Sequence, residues 1–284
     1  MNDMNMNIKP TDDFIFKRIF GVEESKDILI SFLNALFKEY EYLPNIKNIK
    51  FSNNENIKDD LENKDSRLDI KATTDSGNVI NIEVQTTDTG NLINRGIYYC
   101  SKMIVDGTYE GYDYDKPEVI SIWIIKNKIR QDNIFYDRGS AIEISQLYSP
   151  PTKENDEYLK NSNKLTIVSI FLYKFIEGTF DIDIEQWLRF IDNRDISDVE
   201  NKQICKANEK LNYLRSNKDM KDIYDSKLKF LLHKNTDLKI AKQDGLKEGK
   251  IEIAKNMLKL NIDINIISQS TGLTVEEINS INGD

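Results

Sequence analysis

The stretch RLDIKATTDSGNVINIEVQ, Arg67 to Gln85, decides how this 284-residue chain folds. Leu68, Ile70 and Ala72 alternate with Arg67, Asp69, Lys71 and Thr73, and Ile80, Ile82 and Val84 alternate with Asn81, Glu83 and Gln85. A period of two over both arms predicts two half-buried strands, because successive side chains of a strand leave opposite faces. Between them, Asp75-Ser76-Gly77 fits a three-residue hairpin loop with glycine where φ must be positive. With Thr74 paired to Asn78, Asp69 faces Glu83, Lys71 faces Asn81 and Arg67 faces Gln85. Directly opposed residues hold their Cβ atoms roughly 4.5–5.5 Å apart, and like charges there are destabilising. Two opposed carboxylates need a shared proton, a basic neighbour or a bound divalent cation. The plain alternative is a solvated polar face on which Arg67 and Lys71 neutralise the acids.

Upstream of the hairpin, TDDFIFKRIF (11–20) predicts a short helix ending at Gly21, with Phe14, Ile15, Ile19 and Phe20 as its apolar face and Asp12 or Asp13 as its cap. A second helix spans about Glu24 to Lys38, and Ile46 to Phe51 reads as the first strand. Residues 53–65 are polar and read as a loop. Downstream, Thr89 to Asp106 reads as a helix carrying Arg95, Tyr98, Tyr99 and Lys102 on one side. Pro117 then opens the apolar strand VISIWIIK, Val119 to Lys126. This order predicts an α/β fold: a mixed sheet with a crossover helix, flanked by further helices. A short strand near Ala141–Ile144 and a turn at Pro150-Pro151 follow. LTIVSIFLYKF (165–175) fits either a strand or a buried helix, and Ile184–Ile191 is a helix carrying Trp187.

The chain divides in this reading into a mixed-sheet domain, residues 1–195, and a helical C-terminal region, residues 196–284. The tail INIISQSTGLTVEEINSI (264–281) has two short amphipathic arms around Thr271-Gly272. That is the spacing of a small helix-turn-helix, and equally of a packing or dimerising helical hairpin. Its second arm, VEEINSI, is acidic and ill suited to phosphates. GLKEGK (245–250) lacks the four-residue gap and the Ser/Thr of a phosphate loop.

Composition narrows the chemistry. The only histidine, His233, sits in a Lys-rich helical stretch, so a Ser-His-Asp triad or a multi-His zinc site is set aside. The net charge of −9 argues against gripping nucleic acid over the whole surface, though not against one local basic patch. Cys100 and Cys205 have no metal spacing and read as reduced thiols. The start MNDMNMNIKP has no apolar core of a secretory signal, and no apolar run is long enough to span a membrane. A cytoplasmic protein with no membrane association is expected.

Asp69 and Glu83, with Gln85 two residues beyond the glutamate, form an Asp…Glu-x-Gln pattern. Two hard oxygen ligands with open water positions suit Mg²⁺ or Mn²⁺, and a backbone carbonyl such as that of Val84 offers a third ligand. Such an ion lowers the pKa of a water and stabilises charge on a phosphodiester. Gln85 shares the face of Glu83 and is suited to orienting that water. Arg95, Tyr98 and Lys102 on the next helix are suited to phosphate oxygens.

DFIFKRIFG, DIKATTDSGNVINIEVQ, NRGIYYCSKM and GYDYDKPEVISIWII, in this order, together resemble the PD-(D/E)XK nuclease family transposases, also described as Rpn recombination-promoting nucleases. The resemblance covers roughly residues 9–130, and the C-terminal AKQDGLKEGKIEIAKNMLKLNIDINIISQSTGLTVEEI also looks like the end of such proteins. It implies a restriction-endonuclease-like fold and Mg²⁺-dependent cleavage of DNA, in recombination, mobile-element movement or phage defence. By resemblance, the metal-binding positions fall on Asp69 and Glu83, and the third motif position on Gln85, where the superfamily pattern has lysine. Glutamine supplies no positive charge. Lys71, on the face of Asp69, and Lys17, on the first helix, are the candidate substitutes. Arg95 and Tyr99 match helix positions of the family, and packing against the sheet is the other reading of both. A nuclease-like module that has lost catalysis and acts through its C-terminal helices is the alternative function. A homo-oligomer built on those helices is compatible with either.

Overall fold

The computed structural model describes residues 8–39, 45–52, 70–86, 92–106, 118–128, 139–146 and 165–281. Arg67, Leu68, Asp69, the expected loop 53–65, Pro117 and the expected turn at Pro150-Pro151 lie outside these residues. The chain forms two compact units, Met1–Asn217 and Lys218–Asp284.

The first unit opens with α1 (Asp13–Phe20) and α2 (Lys26–Lys38), joined through a 3₁₀ turn. Strand β1 (Ile49–Phe51) leads to the hairpin of β2 (Ile70–Thr74) and β3 (Val79–Gln85). Helix α3 (Leu92–Asp106) precedes β4 (Val119–Ile125), β5 (Ile142–Gln146) and β6 (Leu165–Phe171). The ambiguous apolar run is thus a strand, closed by a single 3₁₀ turn at Leu172–Lys174. Helices α4 (Ile182–Ile191) and α5 (Lys202–Ser216) complete the unit.

The six strands lie in the order β1-β2-β3-β4-β6-β5. β3, β4 and β6 run parallel to one another, and the outer pairings are antiparallel. The fold is therefore a mixed sheet flanked by helices. The hairpin register is the expected one: Ile70 pairs with Ile82, Lys71 with Asn81 and Ala72 with Ile80. It is set by the loop, where Thr74 N–H donates to the Asn78 carbonyl at 2.9 Å and Gly77 takes φ 86°. The Asp75 carboxylate accepts from the Lys47 and Asn48 amides at 3.2 and 3.4 Å, which ties the loop to the approach of β1.

The two faces of the sheet differ. On one, Ile80, Ile82, Ile120, Ile122, Ile124, Val168 and Ile170 are each at most 1% exposed. This face meets the end of α1, where a Cβ on Gly21 would lie 3.0 Å from Ile70 Cγ1 and 2.9 Å from the Lys17 carbonyl. Phe20, Phe32, Trp187 and Phe190 knit α1, α2 and α4 into one aromatic layer, with ring centroids 5.7–6.3 Å apart. The other face packs on α3, where Cys100 and Met103 join Val119, Trp123, Ile125, Ile167 and Phe171 in a second apolar cluster.

The first compact unit extends to Asn217. The cause is α5: Ile204, Ala207, Leu211 and Leu214 are buried, an apolar stripe at helical spacing in an otherwise polar segment. Arg215 adds a clamp, its guanidinium donating to the Ile8 carbonyl at 2.8 and 3.1 Å.

The second unit holds α6 (Lys218–Lys259), α7 (Ile264–Thr271) and α8 (Val275–Ile281). His233 is exposed on α6. Ala254, Ile267, Leu273 and Ile278 form the small core. Asp263 caps α7 by accepting from the Asn265 amide at 2.9 Å, and Gly272 ends it with φ 70°. Thr274 and Glu277 make a reciprocal capping box at the start of α8 (2.9 and 3.2 Å).

Candidate active site

β3 is a central strand paired on both edges, and Asn81, Glu83 and Gln85 line its face toward α3. Glu83 is 5% exposed. A carboxylate at that depth is costly unless positive charge or hydrogen bonds meet it. Arg95 meets it from the first turn of α3, with Nη2 3.8 Å from Glu83 Oε2. The same guanidinium donates from Nη1 to Gln85 Oε1 at 3.0 Å. It also lies 5.7 Å from the Trp123 ring centroid and 5.9 Å from that of Tyr99, within cation–π range. Trp123 is the β4 residue paired in register with Glu83, and its indole donates to Ser121 Oγ at 2.9 Å. Sheet register, stacked rings and one arginine thus bring Glu83, Gln85, Arg95 and Tyr99 together.

Backbone and ion pairs brace the end of β3. The Lys126 amide donates to the Gln85 carbonyl at 2.9 Å, and the Lys126 ammonium pairs with Asp192. Asp192 is held in turn by Arg194 Nε at 2.8 Å.

Lys71 is half-buried opposite Asn81 and makes no ion pair among the described residues. Lys102 is half-buried on α3, likewise without an ion pair among the described residues. Lys17 sits on α1, whose closing glycine packs on Ile70, the neighbour of Asp69 in sequence. Asp69 itself lies outside the described residues. Tyr98 departs from the expected grouping. It is 59% exposed, because neighbouring helix residues are 100° apart and Tyr99 takes the inward position, stacked on Trp123 at 6.2 Å.

Three polar features of this face were not singled out from sequence. Asn81 is 0% exposed, and its carboxamide nitrogen and oxygen have no hydrogen-bond partner among the described residues. Ser121 pairs with it across β4. The thiol of Cys100, against Ser121, is pushed up to about 11 by burial, so it stays protonated and is no nucleophile. Only strand order could have flagged Ser121 and Trp123, and strand order is not local information.

The oxygen donors here, the Glu83 carboxylate and the Asn81 amide, are of the kind that suits a hard divalent cation and not a soft metal. Glu83 would hold such an ion, with open positions left to water.

A mixed sheet with a buried carboxylate on a central strand, faced by an arginine from the crossover helix, defines an α/β protein of nuclease-like build. The model of the PD-(D/E)XK nuclease family transposases matches residues 10–241, and the chain belongs to this family, which supports a nuclease-like function. The model of the Rpn/YhgA-like nuclease family C-terminal HTH domain matches residues 247–283, which include α7 and α8. No curated protein and no solved structure matches the chain.

Proposed function

We propose that the protein is a metal-dependent DNA endonuclease that hydrolyses phosphodiester bonds. The observation that carries this reading is Glu83, a nearly fully buried carboxylate on a central strand, with an arginine and a glutamine beside it. A purely structural acid would gain little from that position, since a buried ion pair is often no better than a hydrophobic pair.

In this reading Asp69 and Glu83 hold Mg²⁺ or Mn²⁺. The ion, when bound, supplies an acidified water and stabilises charge on the phosphate. Gln85 orients the attacking water, with Lys71 facing the same side of the sheet. Arg95 brings positive charge to the phosphate, and Tyr99, Lys102 and Lys17 line the path of the strand. The helix-turn-helix arms in 264–281 deliver DNA to the nuclease, and α6 offers a surface for pairing two copies. Among the described residues no helix is long and apolar enough to cross a membrane, and DNA is the partner proposed.

The test is incubation of supercoiled plasmid with the full chain and Mg²⁺. Nicking is expected, abolished by chelation and by Glu83→Ala and Asp69→Ala. Equal nicking by Glu83→Ala would overturn the reading. An intact chain that neither nicks nor binds the ion would favour the inactive module, for which the uncharged Gln85 speaks.

A further inference from the structure

We infer that Gln85 and Arg95 act as one unit that divides between two side chains what a single lysine would supply: a hydrogen-bond donor at the reacting phosphate and a fixed positive charge. This rests on the nuclease reading above. Every polar atom of a guanidinium is a donor, so the atom it meets on Gln85 at 3.0 Å is the amide oxygen, which settles how the amide is turned. The Nε2 donors are thereby left to act elsewhere, and they make no hydrogen bond among the described residues.

Gln85 alone provides donors without charge. Arg95 alone provides charge, but its fork is engaged, one nitrogen on Gln85 and another 3.8 Å from Glu83. Joined, they complete each other. The bond from the guanidinium to Oε1 polarises the amide and strengthens its N–H groups as donors. Trp123 and Tyr99 stand against the guanidinium, and only 32% of the Arg95 side chain is exposed, so its charge is screened less than a surface charge. Charge developing on the non-bridging phosphate oxygens would then meet donors already in place, the condition under which such groups lower a barrier most. In this role Arg95 is a positioning residue that acts through Gln85.

The test compares wild type, Arg95→Ala, Gln85→Lys, the double variant Arg95→Ala/Gln85→Lys, and Gln85→Met. Single-turnover plasmid nicking at saturating protein is read beside DNA affinity by fluorescence anisotropy and Mn²⁺ affinity by electron paramagnetic resonance. Arg95→Ala and Gln85→Met are each expected to lose about 10²-fold in the nicking rate, the scale of one lost transition-state donor. DNA affinity should change much less. Gln85→Lys alone should also be slow, since its ammonium lies against the guanidinium. The double variant should recover to within about tenfold of wild type, because one lysine then carries both donor and charge.

A merely structural Arg95 would give a double variant no faster than Arg95→Ala, and that overturns the inference. So would Gln85→Met at the wild-type rate, a check that does not depend on the double variant folding. If wild type itself neither nicks DNA nor binds Mn²⁺, the nuclease reading fails and takes the inference with it. A wild type that nicks, with no rescue, sinks the inference alone.

Discussion

The two faces of β3 are built from alternate residues of one strand and obey different rules. Ile80 and Ile82 lie on a face filled with isoleucine and valine and closed by an aromatic helical layer. Asn81 and Glu83, interleaved with them, lie almost as deep, with Gln85 half-buried beyond; they carry an amide without a hydrogen-bond partner among the described residues, a carboxylate and a second amide held by an arginine. The first face gains stability from every residue on it. The second gives stability up, since buried polar groups without full hydrogen bonding cost free energy. A buried face of this kind is where a test for chemistry belongs.

Breaking the apolar face should cost the most stability. Ile122→Ala is expected to destabilise the fold by about 2–5 kcal/mol through lost burial and the cavity left behind. Chemical denaturation would read this, and a loss under about 1 kcal/mol would mean the face is not closed.

On the polar face the effects should separate in kind. Glu83→Gln keeps the shape of the side chain and removes its charge. It is expected to lower nicking by at least about 10²-fold. Its melting temperature should hold or rise, as happens where an active site is bought with stability. A melting temperature that collapses with the activity would make Glu83 a structural acid.

Asn81→Leu sharpens the contrast from a residue that titrates nowhere. Removing a buried amide that has no partner among the described residues should leave stability unchanged or raise it by about 1 kcal/mol. A fall in nicking in the same variant would assign the amide to the site, and unchanged nicking would make it a packing defect.

The smallest effect concerns Cys100. Burial raises its thiol from an ordinary 9.0 to about 11, so the folded state favours the protonated form. That contribution is complete below pH 9 and is lost as pH rises through 11. Below pH 9, a thiol reagent on the native chain should therefore label the exposed Cys205 and spare Cys100. Rapid labelling of both would show that α3 opens from the sheet.

What was legible in the sequence was what is local. The hairpin register followed from period-two alternation and a three-residue loop, and the loop has the expected bond and φ. Helix α3 was legible too, but Tyr98 and Tyr99 are adjacent and cannot share one face, so pattern alone could not choose between them. The run 165–175 stayed ambiguous because an unbroken apolar stretch has no period to read. The packing of α5 into the first unit was hard to read, because its polar surface hides four buried apolar positions. Least legible was the neighbour of Glu83. Trp123 reaches it through a parallel pairing forty residues away in sequence, and no local pattern reports such a pairing.

The central claim is that the polar face holds a divalent cation at Glu83, and direct ion binding tests it. Mn²⁺ should be titrated into the full chain and the free ion followed by electron paramagnetic resonance. The expected result is saturable loss of the free-ion signal in wild type and its return in Glu83→Gln. A folded wild type that leaves the Mn²⁺ signal untouched, or a Glu83→Gln chain that binds as tightly as wild type, would contradict it.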